Sequence, residues 1–346
     1  MMNKDAGRGT WLFVTLRLET GEELLFFVDT GTNYTCFDKS LEPKLGQRLG
    51  TVNGRHFDDV LKAGVYAPPK LYLGSTALTI DGNILTLDLK EPSADADRPI
   101  MGILGMDCLS HYCLQLDFET GKLRFLGPGR VHASQLGSAF PLTFRDRLPF
   151  VQHVGLLGGQ STDLLMDSGN YLDGDLDSEL FRTALQTRTL RVKRDRIDGR
   201  EPKKAWSPQC VWNGDSYTDL LIGSGINSLG LRFFARHLVT FDFPKQTMYL
   251  RRTSAEPLFD ECMASAQEFL QALKGKGQVP GWSEDDEGRI TLEAHPNSET
   301  YEFRREVGPQ GYHYSITRAS RDSLWKLNKA WRTDQNDHLV EEYTVP

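Results

Sequence analysis

A chain of 346 residues exceeds what one hydrophobic core usually serves, so two or three domains are expected. Apolar residues make up 39% and aromatics 10%, which excludes a disordered chain and suffices to bury several cores. The net charge of −7 resides in residues 253–346, where 10 Lys/Arg meet 17 Asp/Glu; the rest is balanced and lacks a basic stripe, which argues against nucleic acid as a partner.

The five cysteines are odd in number and scattered, so no disulfide framework is expected. Cys108 and Cys113 read as buried thiols, because no second Cys/His pair follows at a zinc-site interval; neither a metal nor a cofactor is expected. No run of about 18 apolar residues offers a membrane span, and the N-terminal segment lacks an apolar signal core. The chain as given reads as soluble, in the cell envelope or secreted if an upstream signal was removed, otherwise cytoplasmic.

In chain order, Trp11 to Leu18, a Thr20-Gly21 turn and Glu23 to Val28 read as a hairpin ending at Asp29. Further strands are expected at Lys70 to Leu73, Ala77 to Ile80, Ile84 to Leu89, Leu114 to Phe118 and Lys122 to Leu126, so the first 250 residues read as all-β. After Arg252 the pattern changes. Pro257 to Leu273 spaces apolar residues as an amphipathic helix closed by Gly275 and Gly277. Arg289 to Glu293, Thr300 to Val307, Tyr312 to Arg318, Trp325 to Arg332 and His338 to Thr344 then alternate as antiparallel strands, with Trp325, Leu327 and Trp331 on one face. A helix across a curved sheet is expected there, a small α+β domain.

The chain repeats itself. Ile103-Leu104-Gly105 through Leu116-Asp117-Phe118 aligns without a gap with Ser228-Leu229-Gly230 through Phe241-Asp242-Phe243, at an offset of 125 residues. Upstream, Phe26-Phe27-Val28-Asp29-Thr30-Gly31 aligns with Leu164-Leu165-Met166-Asp167-Ser168-Gly169 at an offset of 138, so the second copy is 13 residues shorter in between. The expected division is 1–130, 131–252 and 253–346.

An apolar strand running into Asp-Thr-Gly or Asp-Ser-Gly sets a carboxylate on a tight turn. The hydroxyl residue, Thr30 or Ser168, can bond across to the partner loop, and Gly31 or Gly169 lets the backbone approach closely. Two such turns on a pseudo-twofold axis would place Asp29 and Asp167 so near that both cannot ionise and one proton is shared. The Gly223-Ser224-Gly225 segment imitates a dinucleotide loop, but Ser228 stands where its third glycine would fall.

These motifs resemble those of the aspartic peptidases. Ile103-Leu104-Gly105-Met106-Asp107-Cys108-Leu109 is especially similar to the retropepsin-like bacterial branch. The resemblance covers roughly residues 10–252. It implies two tandem retropepsin-like β-barrel halves forming a bilobal unit, a polypeptide substrate in the cleft between them, and Leu104-Gly105 and Leu229-Gly230 supporting the loops of Asp29 and Asp167. Two positions depart from the family pattern: Ser228 replaces an apolar residue, and Asn170 a small one. A substrate-covering hairpin would fall near Thr51 to Tyr66, where Val52-Asn53-Gly54 hints at a turn. The leading expectation is an endopeptidase. A peptide- or partner-binding module on the same fold is the alternative, and the C-terminal domain is a candidate for partner or autoregulatory contacts.

Overall fold

The computed structural model describes residues 2–3, 6–7, 10–56, 59–96, 98–127, 133–155, 161–191, 204–253, 261–283, 290–297, 300–319, 323–336 and 338–345. The protein is mainly β and divides into two compact units, one drawn from 1–191 and 204–258, the other from 259–346.

In the first unit, β1 (Phe13–Leu18) and β2 (Glu23–Val28) pair antiparallel around a turn in which Gly21, at φ +91°, takes a left-handed backbone. Leu24, Phe26 and Val28 alternate inward along β2, which points its end, and hence Asp29, out of the core. There follow β3 (Cys36–Asp38), β4 (Gly50–His56), β5 (Asp59–Tyr66), β6 (Leu71–Leu73), β7 (Thr76–Ala77), β8 (Ile84–Leu87), α1 (Lys90–Asp95) and β9 (Gly102–Leu104). Together the strands make a nine-stranded sheet in the order β4-β5-β8-β3-β9-β2-β1-β6-β7. The β4–β5 ladder pairs Val52 with Ala63, Gly54 with Leu61 and His56 with Asp59. Val52-Asn53-Gly54 therefore lies within a strand, and residues 57–58 are outside the described residues.

Next come α2 (Met106–Leu109), β10 (Cys113–Asp117), β11 (Lys122–Leu126), β12 (Ser138–Pro141), β13 (Thr143–Arg145), β14 (Leu148–Val154), β15 (Thr162–Asp167), β16 (Gly174–Leu176) and α3 (Ser178–Gln186). The last elements of this unit are β17 (Lys204–Trp212), β18 (Asp215–Ser224), β19 (Ser228–Gly230), α4 (Leu231–Phe234), β20 (His237–Asp242) and β21 (Thr247–Arg252). The second sheet runs β13-β14-β15-β19-β16-β18-β17.

Six neighbours recur in both sheets: β14, β15, β19, β16, β18 and β17 stand where β1, β2, β9, β3, β8 and β5 stand. All five pairings also agree in sense. The β1–β2 and β14–β15 contacts are antiparallel, β2–β9 and β15–β19 parallel, β3–β9 and β16–β19 antiparallel, β3–β8 and β16–β18 parallel, β5–β8 and β17–β18 antiparallel. The β6–β7 excursion has no partner in the second sheet, where β17 turns directly into β18 through Asn213-Gly214, both at positive φ as such a two-residue turn requires.

The expected closed barrels are not formed among the described residues, because the strands that would continue each half pair across the halves instead. They build a shared sheet, β11-β10-β20-β21-β12. Along β10–β20, Cys113 faces Asp242, Gln115 faces Thr240 and Asp117 faces Leu238. Since Thr240 lies 125 residues after Gln115, this pair sits on a pseudo-twofold axis, and Gln115 Nε2 donates to Thr240 Oγ1 at 3.1 Å. One core, including Phe26, Leu104, Leu116, Met166 and Phe241, runs through both halves.

The second unit holds α5 (Glu261–Lys274) and an antiparallel meander of β22 (Ile290–Asn297), β23 (Thr300–Val307), β24 (Gln310–Thr317), β25 (Lys326–Thr333) and β26 (Leu339–Tyr343). Ala266 and Leu270 pack on Tyr301, Phe303, Tyr314, Ile316 and Leu327, and Trp325 Nε1 donates to Ser265 Oγ. Trp331 does not share the face of Trp325 and Leu327. A register shift sets Leu327 opposite Ile316 but Lys329 opposite Ser315, so Ala330 takes the inward place and Trp331 stacks on His313 across the sheet.

Candidate active site

The two Asp-hydroxyl-Gly turns meet. Asp29 ends β2 and Asp167 ends β15, each at the close of an apolar strand, and each carboxyl lies against the glycine of the other turn. A Cβ added at Gly169 would fall 2.5 Å from Asp29 Oδ1, and one at Gly31 would collide with the Asp167 carboxyl. Within its own turn, Asp29 Oδ1 accepts from Gly31 N–H at 2.7 Å and Asp167 Oδ1 from Gly169 N–H at 2.8 Å. The aspartates are half-buried.

The hydroxyls beneath them are fully buried and exchange four bonds across the axis. Thr30 Oγ1 donates to the Met166 carbonyl at 2.6 Å and accepts from Ser168 N–H at 2.9 Å. Ser168 Oγ donates to the Val28 carbonyl at 2.9 Å and accepts from Thr30 N–H at 3.0 Å. Four backbone groups at the strand ends are thereby bonded by the opposite half.

Leu104-Gly105 and Leu229-Gly230 lie beside these turns. Val28 pairs with Leu104, whose carbonyl accepts from Asp29 N–H at 3.1 Å, and Asp167 pairs with Gly230. Both glycines are required by close approach: a Cβ at Gly105 would lie 2.6 Å from the Tyr34 carbonyl carbon, and one at Gly230 2.7 Å from the Asn170 carbonyl oxygen. The two Asp-hydroxyl-Gly turns and the two Leu-Gly segments are thus gathered at one place.

Buried carboxylates that the motifs did not reveal complete the scaffold. In the first half Asp107, on α2, accepts from Thr35 N–H at 2.8 Å and from Thr35 Oγ1 at 2.6 Å, and Thr35 Oγ1 in turn accepts from Gly105 N–H at 3.2 Å. The second half reverses the polarity. Its acid, Asp173, sits on the loop after the turn, and Arg232, which the repeat offset places where Asp107 stands, pairs with it at 3.3 Å. Arg236, wholly buried, adds a second pair at 3.2 Å, and Leu221 N–H donates to the same carboxylate. The two departures noted in the sequence also meet here, since Asn170 Nδ2 donates to Ser228 Oγ at 3.1 Å and to Asp175 Oδ2 at 3.0 Å.

Burial, and then the charge of Asp167, hold the Asp29 carboxyl well above the usual carboxylate range against the pull of Gly31 N–H. Burial also raises Asp167, but donors at Gly169, Asp29 and Asn170 stabilise its anion. Both carboxyls are thus raised, Asp29 the more so, and they titrate as one pair. No protein-family model matches the chain, and no curated protein matches it in sequence.

Proposed function

We propose that the protein is an aspartic endopeptidase built from two fused retropepsin-like halves. The observation that carries this reading is the reciprocal contact of the two turns, each carboxyl seated on the other turn's glycine above a four-bond hydroxyl lock. The same strand order in both sheets and the axis through Gln115 and Thr240 support it. A pair of turns that merely shaped loops would not need to bring two acids together at a cost in repulsion.

In the proposed reaction a water held between the acids loses a proton to Asp167 and attacks the scissile carbonyl carbon, while Asp29 gives its proton to the carbonyl oxygen. The tetrahedral intermediate collapses as the C–N bond breaks. The amine leaves with the proton that Asp167 took up, and Asp29 recovers its own from the hydroxyl. An extended polypeptide is the substrate, and β4, the edge strand of its sheet among the described residues, is where it would add by backbone pairing.

Incubating the protein with unfolded polypeptides between pH 3 and 7 tests this. Cleavage blocked by a statine-type transition-state mimic is expected; intact substrates across that range would refute it.

A further inference from the structure

The two halves differ most where they flank the dyad. Strand β3 sets Cys36 opposite Ile103, and the equivalent register of β16 and β19 sets Asp175 opposite Ser228. Cys36 and Asp175 also take the same place against the next strand, facing Leu85 on β8 and Gly223 on β18. An apolar environment in one half is thus a polar one in the other. The second half makes room for its acid: a Cβ at Gly225 would lie 2.8 Å from Asp175 Oδ2, and one at Gly223 would collide with Oδ1. The glycine pair that imitates a dinucleotide loop is there to admit a carboxyl.

We propose that Asp175 is a third acid of this centre, a positioning residue that holds Asn170 with its N–H on Asp167 Oδ1 and that, once ionised, keeps the shared proton of the dyad in place to higher pH. This rests on the peptidase reading given above. Asn170 is fixed from three sides: Nδ2 bonds Asp175 and Ser228, and Oδ1 accepts from Leu172 N–H at 2.9 Å. So held, it aims its own N–H at Asp167 Oδ1, 3.2 Å away, as a second donor beside Gly169. Asp29 Oδ1 receives its donor from Gly31.

The charged groups facing Asp175 are Asp167 from β15 and Lys204 from β17, while β18 and β19 face it with Gly223 and Ser228. Burial, then the charge of Asp167, push its carboxyl up to about 6, against the pull of Lys204 and of the Gly223 and Asn170 donors. Below that pH Asp175 is neutral and leaves the dyad with a single negative charge. Above it, a new anion beside Asp167 opposes loss of the remaining dyad proton, so the upper ionisation step of the pair moves upward.

The test is a ¹³C carboxyl titration of the full-length chain, wild type against Asp175→Asn, with the dyad signals assigned through Asp29→Asn and Asp167→Asn. The upper step of the pair is expected to fall by about one pH unit and the lower step to stay in place. Both steps unmoved, or only the lower one displaced, would overturn the role of Asp175. Should Asp175→Asn fold poorly, Asp175→Cys, which copies the first half, reads the same shift. The titration does not depend on turnover: a chain that cleaves nothing defeats the peptidase reading, whereas an unmoved upper step in a cleaving enzyme defeats this inference alone.

Discussion

Replacing Thr30 by valine keeps the shape of the side chain and removes only its hydroxyl. Two buried groups then lose their partners, the Met166 carbonyl, bonded at 2.6 Å, and Ser168 N–H, bonded at 2.9 Å. Each unsatisfied group costs about 1–3 kcal/mol, so Thr30→Val is expected to destabilise the first unit by about 2–6 kcal/mol without creating a cavity. Ser168→Ala strands the Val28 carbonyl and Thr30 N–H and should cost a similar amount. Because both hydroxyls hold the same two loops, the double variant should fall short of the sum by about 0.5–3 kcal/mol. Urea unfolding of the four proteins gives these numbers from the midpoints at constant slope. Losses below about 0.5 kcal/mol, or strict additivity, would refute a lock in which each half satisfies the other.

Other consequences follow from the same contacts. Asp173→Ala leaves Arg236 buried without its carboxylate and should cost about 3–5 kcal/mol in unfolding free energy, far more than loss of a surface pair. His237, bonded to Tyr217 and Phe233, has its ring pushed down to about 4 by burial, so the unfolded chain takes up a proton first; stability should fall from about pH 6.5 to 4, and less steeply in His237→Gln, by thermal unfolding across pH. Asp29, with its carboxyl raised, holds a proton that the unfolded chain releases near 3.8, so stability is lost as pH rises through the native value; Asp29→Asn should be the more stable protein at pH 7 and gain nothing at pH 3. Gly169→Ala must displace the Asp29 carboxyl, and both activity and stability are expected to drop.

The features legible in the sequence were those written in contiguous residues. An apolar strand, an Asp-Thr-Gly turn and a later Leu-Gly are local patterns, and their duplication at constant offsets located Asp29, Asp167 and their supports. What stayed hidden depends on partners distant in the chain. Asp107 meets Thr35 from 72 residues away, and its counterpart is an arginine, so alignment of the repeats concealed a shared structural task behind opposite charges. Asn170 and Ser228 looked like two separate departures, yet they are one contact. The expected faces of β25 failed because alternation read from sequence assumes an unbroken ladder, and the shift near Lys329 breaks it. Likewise, Val52-Asn53-Gly54 carries turn residues, but the β4–β5 register extends past them.

In the proposed reaction Asp29 and Asp167 work as one centre. Its most direct test is the rate of peptide-bond hydrolysis at the acid optimum for the wild type and for Asp29→Asn and Asp167→Asn, each made alone. Loss of about 1,000-fold or more in both variants is predicted, since neither acid can serve without its partner. Retention of near-normal hydrolysis in either variant would contradict the account.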